Sequence, residues 1–344
     1  MAFHKVFLKN KNIKNGIHPY IIAEIGVNHE GSITKCKKLI RLASKAGADA
    51  VKIQTVNEDD SYLKNTKSYK TFKRRNFTDQ ELKEIKYFSN KCKILFFSTP
   101  GDIASLRRLK KLKVKMIKIS SGLMNHYPLI HEATKLKVPI IISTGMAEKK
   151  DLIDLKNYLR KIKFSNFAIL KCTSQYPAEI KNINLDSMDK LKAIFKSEIG
   201  YSDHTIGTLA PLVAVSKGAK IIEKHFTLNK NKKGSDHKIS LEYKDFKQMV
   251  DQIRYTEKII GKAKLDLSNS VKKVRKLYRR YLFTKQNIKK GQKFNINNIA
   301  FKRSDKNING LEPKEFFSFN NKKSKINLKK NLIIKKNFIA KNNS

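Results

Sequence analysis

From Tyr20 to Thr227, short and nearly continuous apolar runs alternate with longer amphipathic stretches. The apolar runs are Tyr20–Asn28, Asp49–Thr55, Ile94–Pro100, Val114–Ser121, Pro139–Gly145, Phe167–Ser174, Ile199–Thr205 and Lys220–Thr227. Runs that are apolar at successive positions predict parallel strands buried on both faces. Eight of them, joined by helical crossovers, predict an α/β chain folded as a (β/α)8 TIM barrel. The intervening segments carry helix punctuation. Ser32 suits the N-cap of a helix ending near Gly47, and Thr78 with Glu81 three residues on forms a capping box. Ile206 to Gly218 reads as the helix between the last two strands. Glu242 to Ile260 reads as a long final helix, stopped at Gly261.

Each run ends in polar residues. The tips are Glu24 and Asn28, Lys52 and Gln54, Ser98 and Thr99, Lys118 and Ser121, Ser143 and Thr144, Ser174 and Tyr176, Ser202 and His204, and Glu223 and His225. In a parallel barrel the C-terminal strand ends form one rim, where the chemistry takes place. IGYSDHT and IIEKHFT bring His204 and His225 to neighbouring strand ends. Either both are structural, or they share one divalent ion. Two ligands are too few for a structural zinc site. They suit an exchangeable Mn²⁺ or Mg²⁺ acting as a Lewis acid, with water and substrate oxygens completing its shell.

Lys52 and Lys118 point into the same rim, and a buried lysine without an anion is costly. A ligand bearing phosphate and carboxylate would satisfy both. Salt bridges to Glu24 or Glu223, or a Schiff-base role, are the other readings. The hydroxyls of Ser121, Ser143, Thr144 and Ser202 favour anion binding. Glu24 reads as an acid/base group or as a lysine's partner. Asp236, in GSDHK, reads as a ligand for a substrate hydroxyl or as a solvated loop residue.

The flanks differ from this rhythm. Residues 1–19 read as a short leader, a hairpin over the barrel's bottom. Residues 1–265 are assigned to the barrel. Residues 266–281, with the basic run VKKVRKLYRR, read as a linker. Residues 282–344 are short runs punctuated by Gly and Pro. They predict a small β-rich domain near the lower size limit for independent folding, packed on the barrel or on a partner subunit.

Charge adds one point. The chain carries 75 basic and 29 acidic residues, a net charge of +46. The lysines are scattered, and no aromatic platform interleaves with them as single-strand binding requires. This reads as lysine-rich solvated faces rather than a nucleic-acid surface, in a field that attracts anionic substrates. No apolar run approaches the roughly 20 residues of a membrane span. The N-terminus has no apolar signal core. Three cysteines, Cys36, Cys92 and Cys172, form no paired framework. Sparse thiols fit a reducing compartment, and the expected location is the cytoplasm with no membrane partner. Cys36 and Cys92 read as small buried hydrophobes, whereas Cys172 lies close enough to the rim to touch it.

The stretches IIAEIGVNHEGS, GADAVKIQT, FFSTP, KISSG, ISTGMA, LKCTSQYP, GYSDHTIG, IEKHFT and GSDHKISLE together resemble the sialic acid synthase family. That family comprises the N-acetylneuraminate synthases and their legionaminate and pseudaminate relatives. NIKKGQ and FKRSD resemble motifs of the family's C-terminal SAF (antifreeze-like) domain. The resemblance implies a barrel plus SAF domain, in a homodimer whose SAF domains cover the partner barrels. It implies condensation of phosphoenolpyruvate with the open-chain aldehyde of an N-acetylated amino sugar, with phosphate released by C–O cleavage. Carried over residue by residue, it implies His204 and His225 as catalytic metal ligands and Glu24 as the catalytic acidic group. It implies Lys52, Thr99, Lys118, Ser121, Ser143, Ser174 and Ser202 at phosphoenolpyruvate. It implies Gln54, Tyr176, Asp236 and Arg303 at the sugar, Arg303 reaching across the dimer.

Three positions depart from the family pattern. Leu123 stands where an acidic residue is common, Ser174 where some members have Asn, and Ser304 where a proline follows the arginine. The first two bear on which sugar is accepted. GSDHKISLE leans towards neuraminate or legionaminate synthesis. Two other readings are a phosphorylated sugar as acceptor and a non-catalytic barrel that binds polyanions.

Overall fold

The computed structural model describes residues 18–261, 263–304 and 308–340. The expected leader hairpin over residues 1–19 lies almost wholly outside the described residues. The chain divides after Gly261 into two compact units.

The first unit is a closed barrel of eight parallel strands in sequential order. They are β1 (Tyr20–Gly26), β2 (Ala50–Thr55), β3 (Leu95–Pro100), β4 (Ile117–Ile119), β5 (Ile140–Ser143), β6 (Phe167–Cys172), β7 (Glu198–Asp203) and β8 (Ile221–His225). β8 closes on β1, with Glu24 opposite His225. The eight expected strands are all present. Several are shorter than the apolar runs suggested, β4 most of all, because Ser121–Leu123 coil into a 3-10 turn. Ser174 and Tyr176 lie in the loop after β6 rather than on the strand.

The helices sit where the punctuation placed them. Ile33–Lys45 is capped by the Ser32 side chain, and Asp79–Lys91 opens with the Thr78–Glu81 capping box. Leu209–Ser216 joins β7 to β8, and Tyr243–Ile260 ends at Gly261. Apolar residues fill two zones. The larger lies between strands and helices, with Ile25, Ile53, Ile119 and Ile142 on the strands' outer faces. The smaller plugs the barrel's interior, where Ile22, Ala50, Phe97, Met116, Ile141, Leu170 and Ile221 meet. Burying these faces from water is what drives the barrel shut.

The second unit contains an antiparallel pair, β9 (Tyr281–Thr284) and β10 (Ile299–Lys302). Leu282, Ile288, Phe294, Ile299, Phe316, Phe319, Leu328 and Ile334 form its own core. The stretch read as a linker, residues 266–281, contains a helix that the sequence reading did not give it. Asn269–Tyr278 is a helix, capped by Ser268. Val271, Val274 and Leu277 repeat at helical spacing, a pattern masked by the lysines and arginines between them. No helix among the described residues is long and apolar enough to cross a membrane.

Candidate active site

Strand side chains alternate between faces. The positions two residues beyond the interior plug therefore point inward at the rim, and they are Glu24, Lys52, Thr99, Lys118, Ser143, Cys172 and Glu223. Lys52 and Lys118 are 4% and 2% exposed, so neither ammonium is solvated in the ordinary way. Lys52 Nζ lies 2.5 Å from Glu24 Oε2, 3.9 Å from Glu223 Oε2 and 3.2 Å from Thr99 Oγ1. Lys118 Nζ donates to Glu223 Oε1 at 2.7 Å, as does Ser202 Oγ at 2.9 Å. The salt-bridge reading of the two lysines is therefore the arrangement present. Glu223 is its hub, although the sequence marked it only as a partner.

The two carboxyls respond in opposite directions. Burial raises both, because the charged form is disfavoured away from water. At Glu24 burial prevails over Lys52, helped by the neighbouring Glu223 charge, and the carboxyl is held well above its usual range. At Glu223 the two ammonium groups outweigh burial and hold it ionised, below that range. The layer thus contains a fixed carboxylate, a carboxyl pushed towards its protonated form, and two lysines.

His204 and His225 stand at the same rim, ring centroids 5.4 Å apart. His204 Nδ1 is 2.8 Å from the Thr173 carbonyl oxygen. A carbonyl only accepts, so Nδ1 carries the proton and Nε2 keeps its lone pair. Burial pushes His225 down to about 3. At His204 burial is outweighed by the Cys172 thiol and the Thr173 carbonyl, which lift its proton affinity. His225 Nδ1 is buried without a hydrogen-bond partner among the described residues, and Asp236 Oδ2 stands 3.8 Å away. Tyr176 stacks on His204 at 4.1 Å and meets His225 edge-on at 6.2 Å.

Among the described residues no three His, Cys, Asp or Glu side chains are grouped to hold a metal. Two imidazoles are nevertheless available, and the orphaned His225 nitrogen is the kind of buried atom a ligand would satisfy. The donor set fits an ion that shares its shell with substrate and water, and it does not fit a closed structural site.

Two glycines show where the remaining residues converge. A Cβ at Gly145 would lie 2.5 Å from Ser174 Oγ and 3.0 Å from both Cys172 Sγ and Ser121 Oγ. Gly145 N also donates to Ser121 Oγ at 2.9 Å. The loop after β5 therefore gathers two hydroxyls and the Cys172 thiol, which does reach the site. Ser143 Oγ, at the end of β5, is buried and unpartnered among the described residues. Gly26 has φ +53°, a left-handed conformation that favours glycine. A Cβ there would lie 3.1 Å from Asp236 Oδ2, 3.2 Å from Glu24 Oε1 and 3.7 Å from Gln54 Nε2. Asp236 and Gln54 thus meet Glu24 at the β1 tip. Asp236 stands on the short helix Ser235–Ile239 rather than in an open loop.

Arg303 lies in the second unit, its guanidinium 5.5 Å from the Tyr278 ring centroid. Cys36 is buried as expected, whereas Cys92 is only half-buried at a helix C-cap. A further pair escaped the sequence reading. Lys224 and Asp203 are wholly buried and ion-paired, each one residue before a rim histidine. The signal was present in IIEKH, where consecutive charges cannot both face the interior of a strand.

Fold and rim together define a (β/α)8-barrel enzyme whose polar groups gather at the C-terminal strand ends. The particular family follows from comparison with known proteins. The chain belongs to the NeuB family, whose signature matches residues 39–265. It is 39% identical over 312 residues to an N,N'-diacetyllegionaminic acid synthase of Campylobacter jejuni, covering 86% of this chain and 93% of that protein. It is 37% identical over 325 residues to a pseudaminic acid synthase of the same species, covering 90% and 93%. Among solved structures it is similar to N-acetylneuraminic acid (sialic acid) synthetase from Leptospira borgpetersenii in complex with citrate. That match has a TM-score of 0.71 at 34% identity and covers 75% of this chain and 90% of the other. The protein is accordingly a synthase-type enzyme.

Proposed function

We propose that this barrel condenses phosphoenolpyruvate with the open-chain aldehyde of an N-acetylated amino sugar, giving a nonulosonic acid and phosphate. The observation that carries the reading is the buried layer of Lys52, Lys118, Glu24 and Glu223 beside the paired imidazoles. Two ammonium groups at one rim suit a ligand with phosphate and carboxylate, and such groups act most strongly where water is excluded.

In this reading Lys52, Thr99, Lys118 and Ser202 hold phosphoenolpyruvate. Ser121, Ser143 and Ser174 line the loop that takes its phosphate. Mn²⁺ or Mg²⁺, held by His204 and His225, supplies Lewis-acid polarisation of the aldehyde carbonyl. Carbon 3 of phosphoenolpyruvate forms the new bond to the aldehyde carbon, whose oxygen takes a proton. Water adds at carbon 2 and gives up one proton, then the bond from carbon 2 to the phosphate oxygen breaks, the second proton leaves with the phosphate, and carbon 2 becomes the keto carbon. Glu24 is suited to the first two proton movements, since its carboxyl is held towards protonation at the working pH. Glu223 keeps Lys118 and Ser202 oriented. Gln54, Tyr176 and Asp236 orient the sugar. The SAF character of the second unit, the homodimer, the sugar contact of Arg303 and the cytoplasmic setting belong to the same proposal on family likeness alone.

The relatives named above act in legionaminic and pseudaminic acid synthesis, so diacetamido sugars lead the candidates beside N-acetylmannosamine. The test is kcat/KM for each of these sugars and for N-acetylmannosamine 6-phosphate, with product mass as readout. One unphosphorylated sugar should dominate. Preference for the 6-phosphate would replace this acceptor with a phosphorylated one, and no product from any sugar would overturn the reading.

A further inference from the structure

Asp203 and Lys224 immediately precede His204 and His225, and they are register partners in the β7–β8 ladder. Strand alternation turns both away from the barrel interior, towards the helical layer. On the outer faces near the rim β1, β2, β4 and β5 carry Ile25, Ile53, Ile119 and Ile142, β3 carries Ser98, and β6 carries the partly exposed Lys171. A fully buried ion pair in that wall is therefore an exception. It is also fully satisfied. Lys224 Nζ donates to Asp203 Oδ2 at 2.6 Å and to the Thr205 carbonyl oxygen. Asp203 Oδ1 accepts from Tyr201 Oη and from Thr205 N, each at 2.9 Å, and Oδ2 accepts from Thr205 Oγ1 at 3.1 Å.

One lysine thus grips the chain on both sides of His204, through Asp203 before it and Thr205 after it. Its own next residue is His225. A buried ion pair gains little stability over well-packed apolar residues of the same shape, so stability alone does not account for the pair. Its place between the two histidines does. Outer groups that orient metal-binding imidazoles tune metal affinity strongly.

We propose that the Lys224–Asp203 pair is a positioning clamp that sets the separation and aim of the His204 and His225 rings, and through them the affinity for a divalent cation. This rests on the metal reading above. Both side chains are turned away from the rim, so both act through the backbone of the histidines.

The test is binding of Mn²⁺ alone, followed by the electron paramagnetic resonance signal of the free ion, with thermal unfolding measured alongside. In the double variant Asp203→Asn/Lys224→Met the buried charges go, while the introduced amide oxygen can still accept from Tyr201 and Thr205. Its Tm should stay within about 4 °C of wild type, while Mn²⁺ affinity falls about 10–100-fold. Unchanged Mn²⁺ affinity would overturn the clamp. Should that variant not fold, Tyr201→Phe removes one support of the Asp203 carboxylate and leaves the pair intact. It should weaken Mn²⁺ binding about threefold while Tm falls by only about 2–8 °C, and no weakening would overturn the clamp. A folded wild type that binds no Mn²⁺ would overturn the metal reading and the clamp together. Tight wild-type binding with unaffected variants would overturn the clamp alone.

Discussion

Glu24 and Glu223 are the same side chain at the ends of adjacent strands, yet their neighbours drive them apart. Burial holds Glu24 towards protonation, and Lys118 with Lys52 holds Glu223 ionised. At low pH Glu24 is protonated in the folded and unfolded chain and costs nothing. Above the usual carboxylate range the unfolded chain ionises while the fold retains the proton. Glu24 therefore subtracts stability as pH rises, until its raised folded value is passed. Glu24→Gln should accordingly gain on wild type by about 1–3 kcal/mol from about pH 4 to about pH 8, measured by chemical unfolding. A gap that shrinks over that interval would contradict the assignment. Glu223 works with the opposite sign, and its contribution is lost as pH falls through its lowered value. His204→Ala or His225→Ala should cut turnover roughly a thousandfold, the order expected for losing a Lewis acid, with far-UV circular dichroism unchanged. A double variant with most of its activity would remove the histidines from the chemistry. The sequence named both lysines, both histidines and Glu24, because polar residues at the ends of apolar strands stand out. It offered Glu223 only as one possible partner of a lysine and not as the hub of the layer, because pairing across a barrel depends on strand tilt and register, which a linear pattern does not contain.

At the scale of elements, the loop after β5 is closely packed at Gly145. Gly145→Ala would push a methyl group to within 2.5 Å of Ser174 Oγ. Crowding of that order costs about 1–3 kcal/mol. KM for phosphoenolpyruvate should rise about tenfold or more, with KM for the sugar little changed. An equal rise in both would show a general loss of structure rather than a closed phosphate loop. Strand existence was legible from apolar runs and strand length was not. β4 has three residues where the run had eight, because the small polar residues after Ile119 favour a turn over further pairing. The helix Asn269–Tyr278 was hidden for a different reason. Its apolar positions are one in three, and no helical face is buried within it to sharpen the contrast with lysine.

For the whole molecule, each unit has its own core. The barrel's apolar clusters draw only on residues before Gly261, and the second unit's only on residues after it. A chain ending at Gly261 should therefore fold and unfold cooperatively, with a Tm within about 5 °C of the barrel transition in the full chain. An unfolded fragment would show that the barrel depends on the rest. The net charge of +46 bears on encounter with anionic substrates rather than on fold, and its attraction weakens with salt.

At the centre stands one claim, that the rim joins phosphoenolpyruvate to a sugar aldehyde with help from a divalent ion. The most direct measurement is phosphate release from phosphoenolpyruvate labelled with ¹⁸O in the bridging oxygen, with and without sugar, Mn²⁺ and chelator. Release should require an N-acetylated amino sugar and should vanish with chelator. The label should leave in the phosphate, because the carbon–oxygen bond breaks. Sugar-independent release, release that survives chelator, or label left in the carbon product would contradict that claim.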